Sequence, residues 1–482
     1  MTSEKNLNNI YMSSNTTSKK SSFFLIAITL VATMGGLLFG FDMAVISGVL
    51  PFVKHQFALS SVAEGWFVSS ALVGCIIGVS FSGELSDRLG RKKMLMLSAI
   101  LFFVSAAGTA FSSNFTFLVL ARMLGGTGVG VASIVAPLYI SEIAPAKIRG
   151  RLVTFYQLAI TAGILIAYLT NSELLGFSLS HKSISLGGET LQSALNLLFI
   201  KEVWRSMLGL GVIPSLLFFI GLAFVPESPR WLLQKGKVAE GVAILTKIED
   251  AEIAAQEVAA IKKNTNKDVG TYKELFAPAL RKPLLIGILL PLFSQFSGIN
   301  AVIYYGPRIL SDAGINISNA LLGQVIFGLA NFLFTIIAIW KVDKMGRRPL
   351  YIVGSLGATV SLFFTGWCFF HGSTNSIALV ISIILFLACF AFSIGPLKFV
   401  IAAEIFPTKI RGRAMAISIM TMWVADTIVG QLTPILLSSI GPAYTFWFFS
   451  ACCLLSFWTV YKMVPETKGK SLEEVQDIWV AH

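Results

Sequence analysis

Apolar residues crowd into twelve stretches of the chain, 23–50, 62–83, 94–113, 115–140, 152–175, 202–225, 284–310, 318–340, 349–370, 376–403, 414–438 and 443–464. At a helical rise of about 1.5 Å per residue, stretches of this length cross the roughly 30 Å hydrocarbon core of a bilayer. The pattern predicts an all-α integral membrane protein with twelve transmembrane helices, and the lipid bilayer is its first partner. One polar insert, from Ser228 to Lys282, divides the stretches six and six and reads as short amphipathic helices, for example over 237–263. The expected organisation is a tail over 1–21, a six-helix bundle over 22–226, a helical linker over 227–282, a second six-helix bundle over 283–465 and a tail over 466–482. The polar character of residues 1–20, and the continuation of the first apolar run into Pro51 and more protein, speak against a cleavable leader.

Charge fixes an expected orientation. Counting Lys and Arg before span 1, in loops 2–3, 4–5, 6–7, 8–9 and 10–11, and after span 12 gives three, four, three, ten, four, three and three, which is 30 of the 37 in the chain. Basic loops stay in the cytoplasm, so both termini are expected there, in a bacterial inner membrane or a plasma membrane. The net charge of +12 is then a topogenic signal, and a nucleic-acid partner is not expected. Cys75, Cys368, Cys389, Cys452 and Cys453 all fall within apolar runs, and the four histidines are scattered over loops and the terminus. That excludes a Cys/His metal cluster, and with no nucleophile–base arrangement in view neither an enzyme nor a cofactor is expected.

Three loop motifs recur in the same order in the two halves. SEIAPAKIRGR at 141–151 answers AEIFPTKIRGR at 403–413, DRLGRK at 87–92 answers DKMGRR at 343–348, and PESPR at 226–230 answers PETKG at 465–469. Positive-inside loops alone do not require acids and bases at matched spacing, so the repeats point to duplicated bundles that rock about a site near the midplane. Glu142 with Arg88 or Arg91, and Glu404 with Arg347 or its neighbours, are expected to form ion pairs that close this side; Arg149 and Arg411 belong to the same motifs.

Together these motifs resemble the sugar porter family of the major facilitator superfamily, over about residues 22–474. FGFDMAVISG at 39–48 and RMLGGTGVG at 122–130 are most similar to bacterial proton-coupled xylose symporters. The resemblance implies the major facilitator fold and a monosaccharide carrier that works as a monomer. It also implies sugar-binding positions at Phe39, Gln157, Gln295, Asn300, Asn331, Phe399 and Trp423, with Tyr304 and Tyr305 as an outer gate. The site departs from the xylose-type pattern in being poorer in amides: Ile164, Ser294 and Met422 stand at glutamine positions, Phe399 at a tryptophan position and Asp426 at an asparagine position.

Depth along the helices adds a reading of the intramembrane charges. Asp42 lies 22 residues after Lys20 on an outward-running helix, and Arg122 lies 20 residues before Glu142 on an inward-running one. They share a layer and are expected to pair, with Asp42 taking the coupling proton and releasing Arg122. Lys398 is the only charge between Ser376 and Ala403 and lies 11 residues before Lys409, whereas Asp426 lies 13 residues after Arg413. At about 16–20 Å from the loops a lysine does not easily snorkel, so Lys398 and Asp426 are expected to pair in or beside the central cavity. A helix 10–11 bridge, a substrate-binding pair and a second titrating element are all open for them. The glycine run 125–130 is expected to pack helices closely, and Gly306-Pro307 and Gly395-Pro396 are expected hinges.

The function these observations imply is proton-coupled import of a monosaccharide by alternating access. A carrier for a polyol such as an inositol or for a sugar acid, a facilitative uniporter, and a transporter-like nutrient sensor are the alternatives.

Overall fold

A computed structural model describes residues 2–145, 148–185, 188–248, 258, 272–372, 376–407 and 410–468, and of 2–23, 272, 279, 339–345 and 376 it describes the backbone alone. The described chain is helical and holds the twelve expected spans. In chain order these are α1 Phe24–Gln56, α2 Ser61–Leu89, α3 Arg91–Ala110, α4 Phe115–Ile143, α5 Arg149–Ser180, α6 Val203–Phe224, α7 Arg281–Asp312, α8 Ile317–Ala338, α9 Arg347–Phe370, α10 Ile377–Ile405, α11 Arg411–Ser439 and α12 Gly441–Met463. Side-chain oxygens of Ser60, Asn114 and Asn316 accept backbone N–H groups at the starts of α2, α4 and α8, as capping residues do. Among the described residues the insert holds two short α-helices, Pro229–Gln234 and Val238–Ile248, and two 3-10 turns, Tyr272–Phe276 and Pro278–Leu280; much of the amphipathic stretch expected over 237–263 lies outside the described residues.

The first six spans pack as one bundle, α1 on α5 and α4 on both α2 and α3, and the last six as another, α9 on α12 and α7 on α11. The bundles meet where α2 lies along α11 and α5 along α8. Close approach within the first bundle depends on the glycine run. A Cβ at Gly126 would stand 1.8 Å from the Ala71 carbonyl oxygen, and one at Gly130 2.3 Å from that of Cys75. Only residues without side chains let α2 and α4 come so near.

The helix interruptions differ from expectation. Pro307 sits inside an unbroken helix, Ile299–Asp312. Its missing N–H frees the Ile303 carbonyl, which instead accepts from Gln324 Nε2 and from Tyr168 Oη, each at 3.1 Å, so the helix runs through the proline. α7 breaks nine residues earlier, between Arg281–Phe296 (α7a) and Ile299–Asp312 (α7b), where Gly298 adopts φ 84°. In α10 the turn before Gly395-Pro396 widens into a π-helical segment, Phe390–Ile394.

Candidate functional site

The repeated loops build the same knot twice. In the first bundle Arg91 donates to both oxygens of Glu142 at 2.9 Å, Glu142 also accepts from Ser228 Oγ at 2.5 Å, and Glu227 accepts from the backbone N–H groups of Arg91 and Lys92. In the second, Arg347 donates to Glu404 at 3.2 Å, Thr467 Oγ1 donates to Glu404 at 2.6 Å, and Glu466 accepts from the N–H groups of Arg347 and Arg348. Each third motif thus supplies a glutamate that caps the helix after the second motif and a hydroxyl that binds the glutamate of the first. The capped ends begin at Gly90 and Gly346, whose φ of 99° and 91° few other residues adopt. Arg149 and Arg411 donate back to the Ala144 and Phe406 carbonyls at the ends of α4 and α10. Arg88 binds Glu84 on its own helix rather than Glu142.

These pairs lie within a bundle, not between bundles. Arg91–Glu142 and Arg347–Glu404 pair as expected, but α3 with α4, and α9 with α10, are neighbours in one bundle, so the pairs brace each bundle.

The bundles are bonded at the opposite face. Glu64, with its side chain 1% exposed, accepts from Lys54 at 2.7 Å on its own bundle and from Arg308 at 2.6 Å on the other. Ser69 and Gln431, Ser61 and Ser438, and Tyr168 with the Ile303 carbonyl also cross the interface, and the Tyr304 hydroxyl reaches Met43 Sδ at 3.6 Å. Sequence reasoning found Tyr304 and missed the rest. The signal was there in Glu64, an acid inside an apolar span, and in Arg308, a base at the end of one. Tyr305 donates to the Gly430 carbonyl at 2.7 Å and so anchors α7b to α11.

Between the faces lie the intramembrane charges. Arg122 Nη1 donates to Asp42 Oδ1 at 3.3 Å, as depth predicts. Asp42 Oδ2 and Arg122 Nε are buried with no protein partner, and a cavity of about 20 Å³ adjoins them, lined also by Ser105, Thr109 and Ser215. Such a space holds about one water.

Lys398 and Asp426 do not form the expected ion pair. Lys398 Nζ donates to Ser294 Oγ at 2.9 Å and lies 5.3 Å and 6.0 Å from the ring centres of Phe399 and Phe390. Asp426 accepts from Asn300 Nδ2 at 2.7 Å and from the Tyr304 hydroxyl at 3.2–3.3 Å. The break in α7 explains the separation. Ser294 belongs to the C-terminal end of α7a, where the helix dipole favours a cation, and Asn300 to the N-terminal end of α7b, where it favours an anion. Each charge is therefore met by a different half of one broken helix.

Around them the expected sugar-binding side chains are partly assembled. Asn300 donates to Gln295 Oε1 at 3.0 Å, and Phe39 packs its ring 5.4 Å from that of Trp423, across the bundles. Trp423 is fully buried, yet its Nε1 has no acceptor. Asn331 is buried on α8 and Gln157 exposed on α5, and neither side chain is hydrogen-bonded to this cluster. Flat rings and unspent amide and indole donors are what a polyhydroxylated ring needs.

A charged, amide-lined midplane between two duplicated six-helix bundles defines a secondary transporter. Residues 28–479 match the family model described as sugar (and other) transporter, and the chain belongs to that family. It is 39% identical over 465 residues to the arabinose–proton symporter of Bacillus subtilis, covering 96% of this chain and 97% of that one. With the D-xylose–proton symporter of Escherichia coli it shares 38% identity over 493 residues, covering 95% and 96%. A solved inward-open form of the xylose transporter XylE from E. coli superposes with a TM-score of 0.80 at 36% identity, over 94% of this chain and all of that one. The protein is a multi-pass membrane transporter.

Proposed function

We propose that this chain imports a monosaccharide together with a proton, as a monomer with both termini in the cytoplasm, and carries out no chemical step on its cargo. The basic loops support a cytoplasmic side for the motif knots; the bonded face carrying Glu64, Arg308 and Tyr304 is then external and the conformation opens inward. The likeness to the inward-open xylose transporter supports the same assignment.

The observation that carries the coupling is the Asp42–Arg122 contact, with one carboxylate oxygen left beside a small cavity. In the outward-open state Asp42 takes a proton, the guanidinium loses its anionic partner, and α1 and α4 are free to shift against one another. Sugar held by Gln295, Asn300 and Trp423, with Gln157, Asn331 and Phe39 closing on it, draws the bundles together. Tyr304 then swings over the site. Proton gradient and membrane potential together supply the drive.

Reconstituted protein tests this directly. Uptake of labelled sugar into vesicles should exceed equilibrium under an inward proton gradient and fall to equilibrium with a protonophore. Asp42→Asn should lose all accumulation while still exchanging sugar across the membrane. Loss of exchange as well would reduce the pair to a static brace, and accumulation that ignores the protonophore would rule out symport.

A further inference from the structure

The buried ammonium of Lys398 has no carboxylate at contact distance. Its one hydrogen bond goes to the neutral Ser294 hydroxyl, which leaves two N–H groups, and the faces of Phe399 and Phe390 steady the charge without using those donors. Asp426 acts on this charge only through space, without contact. Both its oxygens are engaged, by Asn300 and Tyr304, and its partner Asn300 lies on the other side of the break at Gly298 from Ser294. Lys398 is 8% exposed and cannot reach either membrane surface. An ammonium held so deep is costly unless something anionic meets it. It is anchored one residue from Gln295 and beside Phe399, within the wall assigned to the sugar.

We propose that Lys398 is a specificity-determining residue, and that the cargo is a monosaccharide carrying a carboxylate, a uronic or aldonic acid whose anionic group meets the Lys398 ammonium. The ring hydroxyls then reach Gln295, Asn300 and the free Trp423 Nε1, and Ser294 presents its hydroxyl beside the carboxylate. The inference rests on the reading of the chain as a monosaccharide carrier and narrows it from neutral sugars to acidic ones.

The test compares matched ligands on purified, reconstituted protein: glucose with glucuronate, and galactose with galacturonate, as competitors and as labelled cargo. A charge-assisted hydrogen bond is worth about 1.5 kcal/mol or more, so the acid of at least one pair should bind at least about tenfold tighter than its neutral partner. Lys398→Gln should bring that ratio close to one. Acids that bind no tighter than neutral sugars, or a ratio that survives Lys398→Gln, would overturn the proposal. Neutral sugars that bind and accumulate with acids excluded would leave the importer standing and remove only this inference. If no member of either pair binds, both fall. The wild-type comparison decides the matter even if the variant fails to fold, which gel filtration reveals.

Discussion

Two pairs of opposite charges lie at matched depths in the two bundles, and only one of them touches. Asp42 and Arg122 stand on α1 and α4, two continuous helices packed in one bundle, and the guanidinium meets the carboxylate directly. Lys398 and Asp426 stand on α10 and α11, with α7 beside both, and α7 is broken. Its two new ends carry partial charges of opposite sign, and its side chains Ser294 and Asn300 take one charge each. Equal depth brings two groups into one layer, but the helix lying beside them decides whether they meet. The contact pair is suited to switching on a proton, whereas the separated pair leaves two N–H groups of the Lys398 ammonium to meet a substrate.

The sharpest way to break this comparison is to close the gap in α7. A side chain at Gly298 faces two obstacles: a φ of 84° and the Phe449 ring, 2.7 Å from where a Cβ would stand. Gly298→Ala should cut uptake by an order of magnitude or more, since left-handed backbone and a core clash each cost about 1 kcal/mol or more. Pro307→Ala should change it by less than about threefold, because Gln324 and Tyr168 already occupy the carbonyl that the proline frees. Uptake rates of the two variants at equal surface expression decide between them. A larger effect at Pro307 would restore the hinge that the sequence suggests there.

The difference between the two pairs also marks what the sequence could carry. The twelve spans, the doubled loops and the Asp42–Arg122 contact were legible because hydropathy, repetition and helical rise are properties of one continuous helix at a time. The partners of Lys398 were not, because they depend on a left-handed residue at Gly298, and glycine in an apolar run more often serves close packing, as it does at Gly126. The loop pairs were legible as pairs but not as to which bodies they join. Spacing shows that Arg91 and Glu142 share an end of the membrane, not that α3 and α4 share a bundle. The cross-bundle cluster at Glu64 escaped because its members come from spans treated as uniformly apolar.

That cluster gives a second contrast, between pairs that brace a bundle and a pair that must part. Glu64 is buried and bonded to Lys54 and Arg308, so the outward opening must break its cross-bundle half. Glu64→Gln weakens the closed face and should shift the population toward the outward-open state by about tenfold, or roughly 1.4 kcal/mol. Ser69→Cys offers a reporter, since Ser69 is buried and bonded to Gln431 across the same interface. Its labelling by a membrane-impermeant thiol reagent added outside should accelerate in the Glu64→Gln background and not in a Glu142→Gln background. Equal acceleration in both would mean that the motif knots, too, hold the bundles together.

The smallest expected effect is the most diagnostic. A double-mutant cycle on the stability of the purified protein, with Asp42→Asn and Arg122→Gln, should show a coupling above roughly 2 kcal/mol, as for buried groups in direct contact. The matching cycle with Lys398→Met and Asp426→Asn should show less than roughly 0.5 kcal/mol, because each residue loses a different partner: Lys398 its bond to Ser294, and Asp426 its bonds to Asn300 and Tyr304. Thermal unfolding of the wild type and the six variants, at one detergent and salt concentration, yields both couplings. A large coupling between Lys398 and Asp426 would mean that they form an ion pair in the resting protein. The ammonium would then have its own counterion, and a neutral cargo would fit the site as well as an acidic one.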